Sequence, residues 1–377
     1  MQIALLLKRI PWSVIIPSLI LIGLGWLALH RAEALAGGSG AFLRRQLFFS
    51  VVAFFAAFAV AVPNYRMLRQ WSYALFAASL VLLAAVFFFP KVNSAHRWIP
   101  LGPINLQPSE FAKVAFVLAM AQYLMYRENY RHLRGLVAPL LITMVPVLLI
   151  LKEPDLGMAM VFLPVLFAML FAAGARRMDL AGVVAVGMLI LPVLWTQMSQ
   201  DQKMRIVALF DQPPPGRQPS KEAYHLYQAK QMRAMGGLWG SFWTGQLSDD
   251  KADYHLPESE NDFIVCVLGE RYGMPGLALM LGLFGFLIYR ATAIANATLE
   301  PFGRLAALGI AAMFAVEVLI NVGMSVGLVP ITGLGLPFIS YGGSNLLAHA
   351  VALGLLINIG MRPGYEVAGE PFRYKEL

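Results

Sequence analysis

Residues 305–329 read LAALGIAAMFAVEVLINVGMSVGLV, a run of apolar and small side chains broken by one ionisable group, Glu317. A helix needs about 20 such residues to cross the hydrocarbon of a bilayer, so this run is long enough to span. The pattern repeats along the chain, for Trp12 to Leu29, Leu47 to Val62 and Tyr73 to Phe89 are blocks of the same kind. Across 377 residues, 59% are hydrophobic and 13% are charged. An ordinary soluble domain carries about 25% charged residues, so the composition speaks against a soluble enzyme. The apolar runs are continuous rather than alternating, which disfavours a transmembrane barrel.

Ten spans follow, near residues 13–29, 46–62, 72–89, 110–126, 136–151, 157–173, 180–197, 263–289, 305–329 and 342–361. The first block comes soon after Lys8 and Arg9, as it would in a signal peptide. No small-residue cleavage site with a soluble domain follows it, so it is read as an uncleaved span. With the N-terminus inside, the inner loops and ends hold Lys8, Arg9, Arg66, Arg69, Arg127, Arg131, Arg134, Arg176, Arg177, Arg290, Arg304, Arg362, Arg373 and Lys375. The short outer loops hold Arg31, Arg44, Arg45, Lys91, Arg97 and Lys152. This excess places both ends in the cytoplasm and requires an even number of spans. The expectation is one all-α integral membrane domain over residues 1–377, with a long outer loop at 199–261.

The net charge of +8 invites a nucleic-acid reading, but the basic residues lie in short loops and serve as topology signals. Cys266 is the only cysteine, so there is no intramolecular disulfide and no Cys-based zinc cluster, and the six histidines show no ligand spacing. No internal repeat is evident, which leaves a transporter of inverted halves without support.

Two outer segments are too long and too patterned to be simple connectors. Lys91 to Pro108 carries His96, Arg97 and Trp98 ahead of Pro100, Gly102, Pro103 and Pro108. The loop at 199–261 contains Pro213, Pro214, Pro215 and Pro219, then Tyr224, Tyr227, Met232, Met235, Leu238, Trp239, Phe242 and Trp243. So many large apolar groups do not suit a solvated linker. The expected form is a short helix from near Ser220 folded back on the membrane surface, then a turn at Gly236, Gly237, Gly240 and Gly245.

Several places put polar chemistry at or near hydrocarbon. Gln107-Pro108-Ser109-Glu110-Phe111-Ala112-Lys113 opens the fourth span, and Glu110 and Lys113 share a helix face. An unpaired charge inside a membrane costs about 3 kcal/mol on insertion scales, so the pair faces the bundle interior. It is either an ion pair locking two helices or part of a cavity for an anionic lipid headgroup, with Lys113 on the phosphate. Arg97 and Trp98, just before it, are interfacial anchors or ligand contacts. Asp262, at the outer mouth of the eighth span, is a helix cap or a general base. Glu270 and Arg271 lie too deep for water if that helix starts at 263, unless it tilts or lines a cavity. Glu317 raises the same question and is best taken as a buried pair that orders helix packing.

Last, Pro330 to Ser344 (PITGLGLPFISYGGS) has too much Gly and Pro for a regular helix. Irregular backbone at membrane depth survives only beside protein or a watered cavity, so a re-entrant turn is expected there. It leads to a helix opening with Gly342, Gly343 and Ser344, whose start is either an anion seat or a tight Gly-mediated contact.

Together these segments resemble the SEDS family of bacterial cell-wall proteins, its elongation branch more than its division branch. The matching pieces are His96-Arg97-Trp98-Ile99-Pro100-Leu101-Gly102, the Gln107 to Lys113 run, Glu153-Pro154-Asp155-Leu156-Gly157, Tyr227-Gln228, Leu256-Pro257-Glu258, Asp262-Phe263-Ile264, Gly269-Glu270 and Pro330 to Ser344. The resemblance implies a peptidoglycan glycosyltransferase of the bacterial inner membrane that polymerises lipid II. The 4-hydroxyl of one disaccharide attacks the anomeric carbon of another, and undecaprenyl pyrophosphate leaves with inversion.

It further implies Asp262 as the base, with Lys113 and Arg97, and a divalent cation (Mg²⁺ or Mn²⁺), balancing the pyrophosphate. Glu110 would orient Lys113 or hold the metal, and Trp98 and the long loop would line the groove. Gln107, Ser109, Ser340, Gly342, Gly343 and Ser344 fall in the same motifs and complete the expected substrate-binding set. A class B penicillin-binding transpeptidase and other elongation-complex membrane proteins are the implied partners. No organic cofactor and no nucleic acid are expected.

The chain departs from the family at Glu260-Asn261, where His-Thr is usual, at Asn345, where a small residue often stands, and at a shortened Met235-Gly236-Gly237. These changes bear on loop contacts rather than on the reaction. Two rival readings are a lipid II flippase, which needs access from both faces, and a scaffold without catalysis.

Overall fold

The computed structural model describes residues 9–91, 95–102, 105–126, 132–198, 200–210, 224–245, 256 and 258–364. Its helices are α1 (Trp12–Leu35), α2 (Ala41–Ala61), α3 (Tyr65–Ala85), α4 (Pro108–Leu124), α5 (Val137–Lys152), α6 (Leu156–Ala173) and α7 (Arg177–Gln197). Then come α8 (Gln200–Phe210), α9 (Tyr224–Gly236), α10 (Ser241–Thr244), α11 (Ile264–Ala297), α12 (Pro301–Val326) and α13 (Gly343–Met361). A short antiparallel ribbon, β1 (Ile99–Pro100) and β2 (Asn105–Leu106), pairs Ile99 with Leu106 just before α4.

Eight of the described helical segments are long and apolar enough to cross a membrane. With α4, which carries two charges in its first turns, and α7, the bundle has about ten spans, and each overlaps a span expected from the sequence. The centre is built on α12, which packs against α4, α6 and α11, and on α13, which lies along α2. Phe302, Ile310, Met313 and Phe314 of α12 are fully buried there. By contrast, α2 turns Phe48, Phe54, Phe55 and Phe58 outward, toward the lipid.

The eighth span differs from its expected form. Helix α11 runs on to Ala297 but is broken at Gly273, where φ is 63° and ψ is −155°. Only glycine takes that conformation without strain, and Pro275, which lacks an N–H, follows it. Residues 264–272 are therefore a segment of their own, set off from the rest of α11 by the break. Glu270 lies in this segment and is buried with a partner. It meets Arg31 near the outer end of α1 in a two-pronged contact, Nη2 to Oε1 at 2.6 Å and Nε to Oε2 at 3.0 Å.

The long outer loop is more helical than expected. Residues 200–210 contain neither Pro nor Gly and form α8. The proline-rich stretch 213–219 and the expected helix start at Ser220 lie outside the described residues. Helix α9 begins at Tyr224 and buries Leu226, Ala229 and Met232. Ala229 and Met232 join a small core with Ala32, Phe263, Cys266 and Val267, so the loop does fold back as its apolar content required.

After α9 the chain meets the break in α11 backbone to backbone. The Met274 N–H donates to the Leu238 carbonyl at 2.9 Å. A Cβ on Gly273 would lie 2.4 Å from that same carbonyl oxygen, and one on Gly240 would lie 2.5 Å from the Arg271 oxygen.

Candidate active site

Asp262 sits in the turn ahead of α11. The cap position of α11 is held by Phe263, which makes no side-chain capping bond. The turn is held from several sides. The Asn321 amide, on α12, donates to the Asp262 carbonyl at 3.1 Å and to the Leu334 carbonyl at 2.6 Å. The Ser340 hydroxyl donates to the Asn261 carbonyl at 2.5 Å and accepts the Leu336 N–H at 2.7 Å. The Tyr341 N–H reaches the Glu260 carbonyl at 2.9 Å. Residues 330–342 are irregular, as their Gly and Pro content predicted, and serve as a frame for the aspartate.

Arg97 is the cation beside it. A Cβ placed on Gly333 would lie 3.6 Å from Asp262 Oδ2 and 3.8 Å from Arg97 Nη1, so the two side chains flank one point. The guanidinium is aimed by the turn between α5 and α6. Its Nε donates to the Glu153 carbonyl at 3.0 Å, Nη2 donates to the Pro154 carbonyl, and Nη1 is 3.7 Å from Asp155 Oδ2. Asp155 also caps α6, accepting the Met158 N–H at 3.1 Å. The Gln107 amide approaches its other oxygen at 3.5 Å. Trp98 is half-buried directly after Arg97 and leads into β1.

Glu153 is fully buried, and neither of its carboxyl oxygens has a hydrogen-bond partner among the described residues. Burial first, and Asp155 second, push this carboxyl up to about 8, with Arg97 pulling the other way. Between the ordinary 4.5 and about 8 the folded state therefore binds a proton that the unfolded chain releases. Stability must fall as pH rises through that window, by on the order of 1.4 kcal/mol per pH unit at most. The thermal midpoint of the purified protein is expected to decline from about pH 5 to about pH 8, and Glu153→Gln should flatten that decline. Equal slopes in parent and variant would contradict this.

Gly342, Gly343 and Ser344 make packing contacts at the start of α13. The Gly342 N–H donates to Gln46 Oε1 at 3.2 Å, and the Gln46 amide donates to the Ser340 carbonyl at 3.2 Å. A Cβ on Gly343 would press on the Phe49 ring at 2.9 Å. Ser344 accepts the Gln107 N–H and donates to the Asn105 carbonyl, both at 3.0 Å, tying the ribbon to α13. Ser109 is buried with its hydroxyl unpartnered among the described residues.

Lys113 lies deeper in the bundle and is 2% exposed. It pairs with Glu110 Oε2 at 2.8 Å and with Glu317. The other oxygen of Glu317 meets His349 Nε2 at 2.5 Å, and the Asn345 amide donates to Glu110 Oε1 at 3.3 Å. Glu317 is thus a buried ion-pair partner, as its place in a span suggested. His349, Gln46, Asn321 and the Arg31 partnership were not singled out from the sequence. A histidine inside the apolar run LLAHAVALGL was itself a signal, for ionisable groups inside spans are costly.

The divalent cation that the resemblance implies finds no ready cage among the described residues. Among the described residues no three His, Cys, Asp or Glu side chains come together as ligands. Glu110 is engaged by Lys113 and Asn345, which leaves it poorly placed to hold a metal.

A family model described as cell cycle protein, covering FtsW, RodA and SpoVE, matches residues 12–363. The chain is 37% identical over 325 residues to the probable peptidoglycan glycosyltransferase FtsW of Trichlorobacter lovleyi, covering 84% of this chain and 83% of that one. Its structure is similar to a component of a solved peptidoglycan synthase complex that coordinates polymerization and crosslinking. The TM-score is 0.77 at 30% identity, over 93% of this chain and 97% of the other. It is also similar to the crystal structure of the rod shape determining protein RodA of Thermus thermophilus, with a TM-score of 0.70 at 28% identity, over 94% and 98% of the two chains. Matched over nearly its whole length, the chain belongs to the FtsW, RodA and SpoVE cell cycle proteins, the SEDS family to which its motifs pointed.

Proposed function

We propose that this multi-pass membrane protein is a peptidoglycan glycosyltransferase that polymerises lipid II at the outer face of the bacterial inner membrane, with both its ends in the cytoplasm. The observation that carries the reading is the pairing of Asp262 Oδ2 and Arg97 Nη1 around Gly333, on the side of the bundle where the charge pattern puts the outside. The reaction needs those two kinds of group together.

The Asp262 carboxylate takes the proton of the acceptor 4-hydroxyl as that oxygen bonds to the anomeric carbon of the donor. The bond from that carbon to the pyrophosphate oxygen breaks on the opposite side, its electron pair leaves with the undecaprenyl pyrophosphate, and the anomeric centre inverts. Arg97 faces the growing negative charge of the leaving group. Its Nε and Nη2 are already fixed by two peptide carbonyls, so little ordering remains when charge develops. Trp98 and the folded outer loop border the groove, and the motif residues Gln107, Ser109, Gly342, Gly343 and Ser344 shape its wall. Lys113 and Glu110 support α4 from within, since Lys113 is buried on two carboxylates.

The test is reconstitution. The purified protein, combined with a class B penicillin-binding transpeptidase and given lipid II with Mg²⁺ or Mn²⁺, is expected to make glycan strands. A folded complex that makes none would overturn the reading in favour of translocation or scaffolding. The cation is supplied because pyrophosphate is itself a cation ligand. Among the stages of wall growth we assign elongation, on the general resemblance of the motifs. A fluorescent fusion is expected to form foci along the lateral wall, and a midcell band would move the assignment to division.

A further inference from the structure

We propose that Glu317 and His349 are positioning residues for this glycosyl transfer, and that they hold between them the one proton that keeps a sealed ring of charges neutral. The ring closes on itself across three helices. From Lys113 on α4 it passes to Glu317 on α12, to His349 and Asn345 on α13, and back through Glu110 on α4 to Lys113.

Counting hydrogens fixes its charge. His349 Nδ1 faces the Asn345 carbonyl at 2.7 Å, and a carbonyl only accepts, so Nδ1 carries a hydrogen. His349 Nε2 faces Glu317 Oε2 at 2.5 Å, and that contact also needs a hydrogen. Whether it sits on the imidazole or on the carboxyl, the pair holds one proton more than a neutral histidine beside a carboxylate. Two carboxylates, one ammonium and that proton sum to zero. Without the proton the ring carries a net negative charge in a site where His349 and Glu317 have no exposure to solvent. The rings of Phe314 and Phe338 stand against the imidazole at 5.8 and 5.7 Å. Burying an uncompensated charge in such surroundings is strongly unfavourable.

The three helices that the ring joins are those that hold the reacting groups. Asn321, one turn outward from Glu317 on α12, bonds the Asp262 carbonyl. Gln107, just before α4, reaches Asp155 in the turn that aims Arg97. The start of α13 is tied to the ribbon behind Arg97 through Ser344. Neutrality of the ring therefore sets how firmly Asp262 and Arg97 are held, although neither Glu317 nor His349 touches the substrate.

The test is a charge rescue. His349→Gln keeps a side chain of similar reach that can still donate to Glu317, but it cannot carry the proton. Its turnover is expected to fall about tenfold, with KM for lipid II changing less than about threefold. Adding Glu317→Gln removes the stranded charge and is expected to bring turnover back to within about threefold of the parent. The thermal midpoint in detergent should fall and recover in the same order whatever the reaction is. The activity arm rests on the glycosyltransferase reading and the thermal arm does not. A parent protein that makes no strands counts against that reading, whereas losses that simply add in the double variant overturn the ring. A His349→Gln protein equal to the parent in midpoint and turnover overturns it as well.

Discussion

Asp262→Ala is expected to lower strand formation by about 10²- to 10⁴-fold, the usual worth of a positioned base. The loss should come without a loss of fold. The frame holds this residue by its backbone, through the Glu258 carbonyl at 3.1 Å on one side and the Asn321 amide at 3.1 Å on the other, and both bonds survive removal of the carboxylate. Asp262→Asn, which keeps the shape and removes the basicity, should be equally slow. The measurement is strand length and amount on gels from matched quantities of monodisperse protein. An alanine variant within a factor of about three of the parent would remove Asp262 from the role of base.

Lys113→Met should damage the fold itself. It leaves Glu110 and Glu317, 2% and 0% exposed, facing each other without the ammonium between them. Breaking a buried pair by removing one partner costs about 3–5 kcal/mol, because the remaining charge has neither water nor a counter-ion. The expected result is a lower thermal midpoint in detergent and less monodisperse protein from membranes. Adding Glu317→Gln to Lys113→Met should recover part of the loss. If Lys113→Met left the midpoint unchanged, the lysine would have to be reaching water or substrate instead.

The spans were legible because a membrane helix announces itself in every residue of a long apolar run. Glu110, Lys113 and Glu317 were legible for the complementary reason, since charges are rare in such runs. The pairing of Glu110 with Lys113 was legible too, being three residues along one helix face, but the link from Lys113 to Glu317 was not, because it joins positions 204 residues apart. Gly273 and Pro275 were visible, yet the apolar run across them hid the break, and the partnership of Glu270 with Arg31 was hidden because it joins positions 239 residues apart. Helix α8 was missed because the prolines from residue 213 onward coloured the reading of the whole loop. The frame around Asp262 was the least readable part. It is made largely of carbonyls and N–H groups, which every residue but proline carries alike, so Asn321, Ser340 and Tyr341 acquire their roles only once the chain has folded.

The junction of Gly240 with Gly273 bears on how this protein can be engineered. At Gly240 and Gly273 themselves there is no side chain to trim or enlarge, only main chain against main chain. A chimera that exchanges the outer segment of one homologue for that of another would have to carry the matching stretch of the eighth span with it. A graft cut between them would bring two surfaces that were never fitted to each other to within van der Waals distance. The exchangeable module is thus larger than the loop that the sequence marks out.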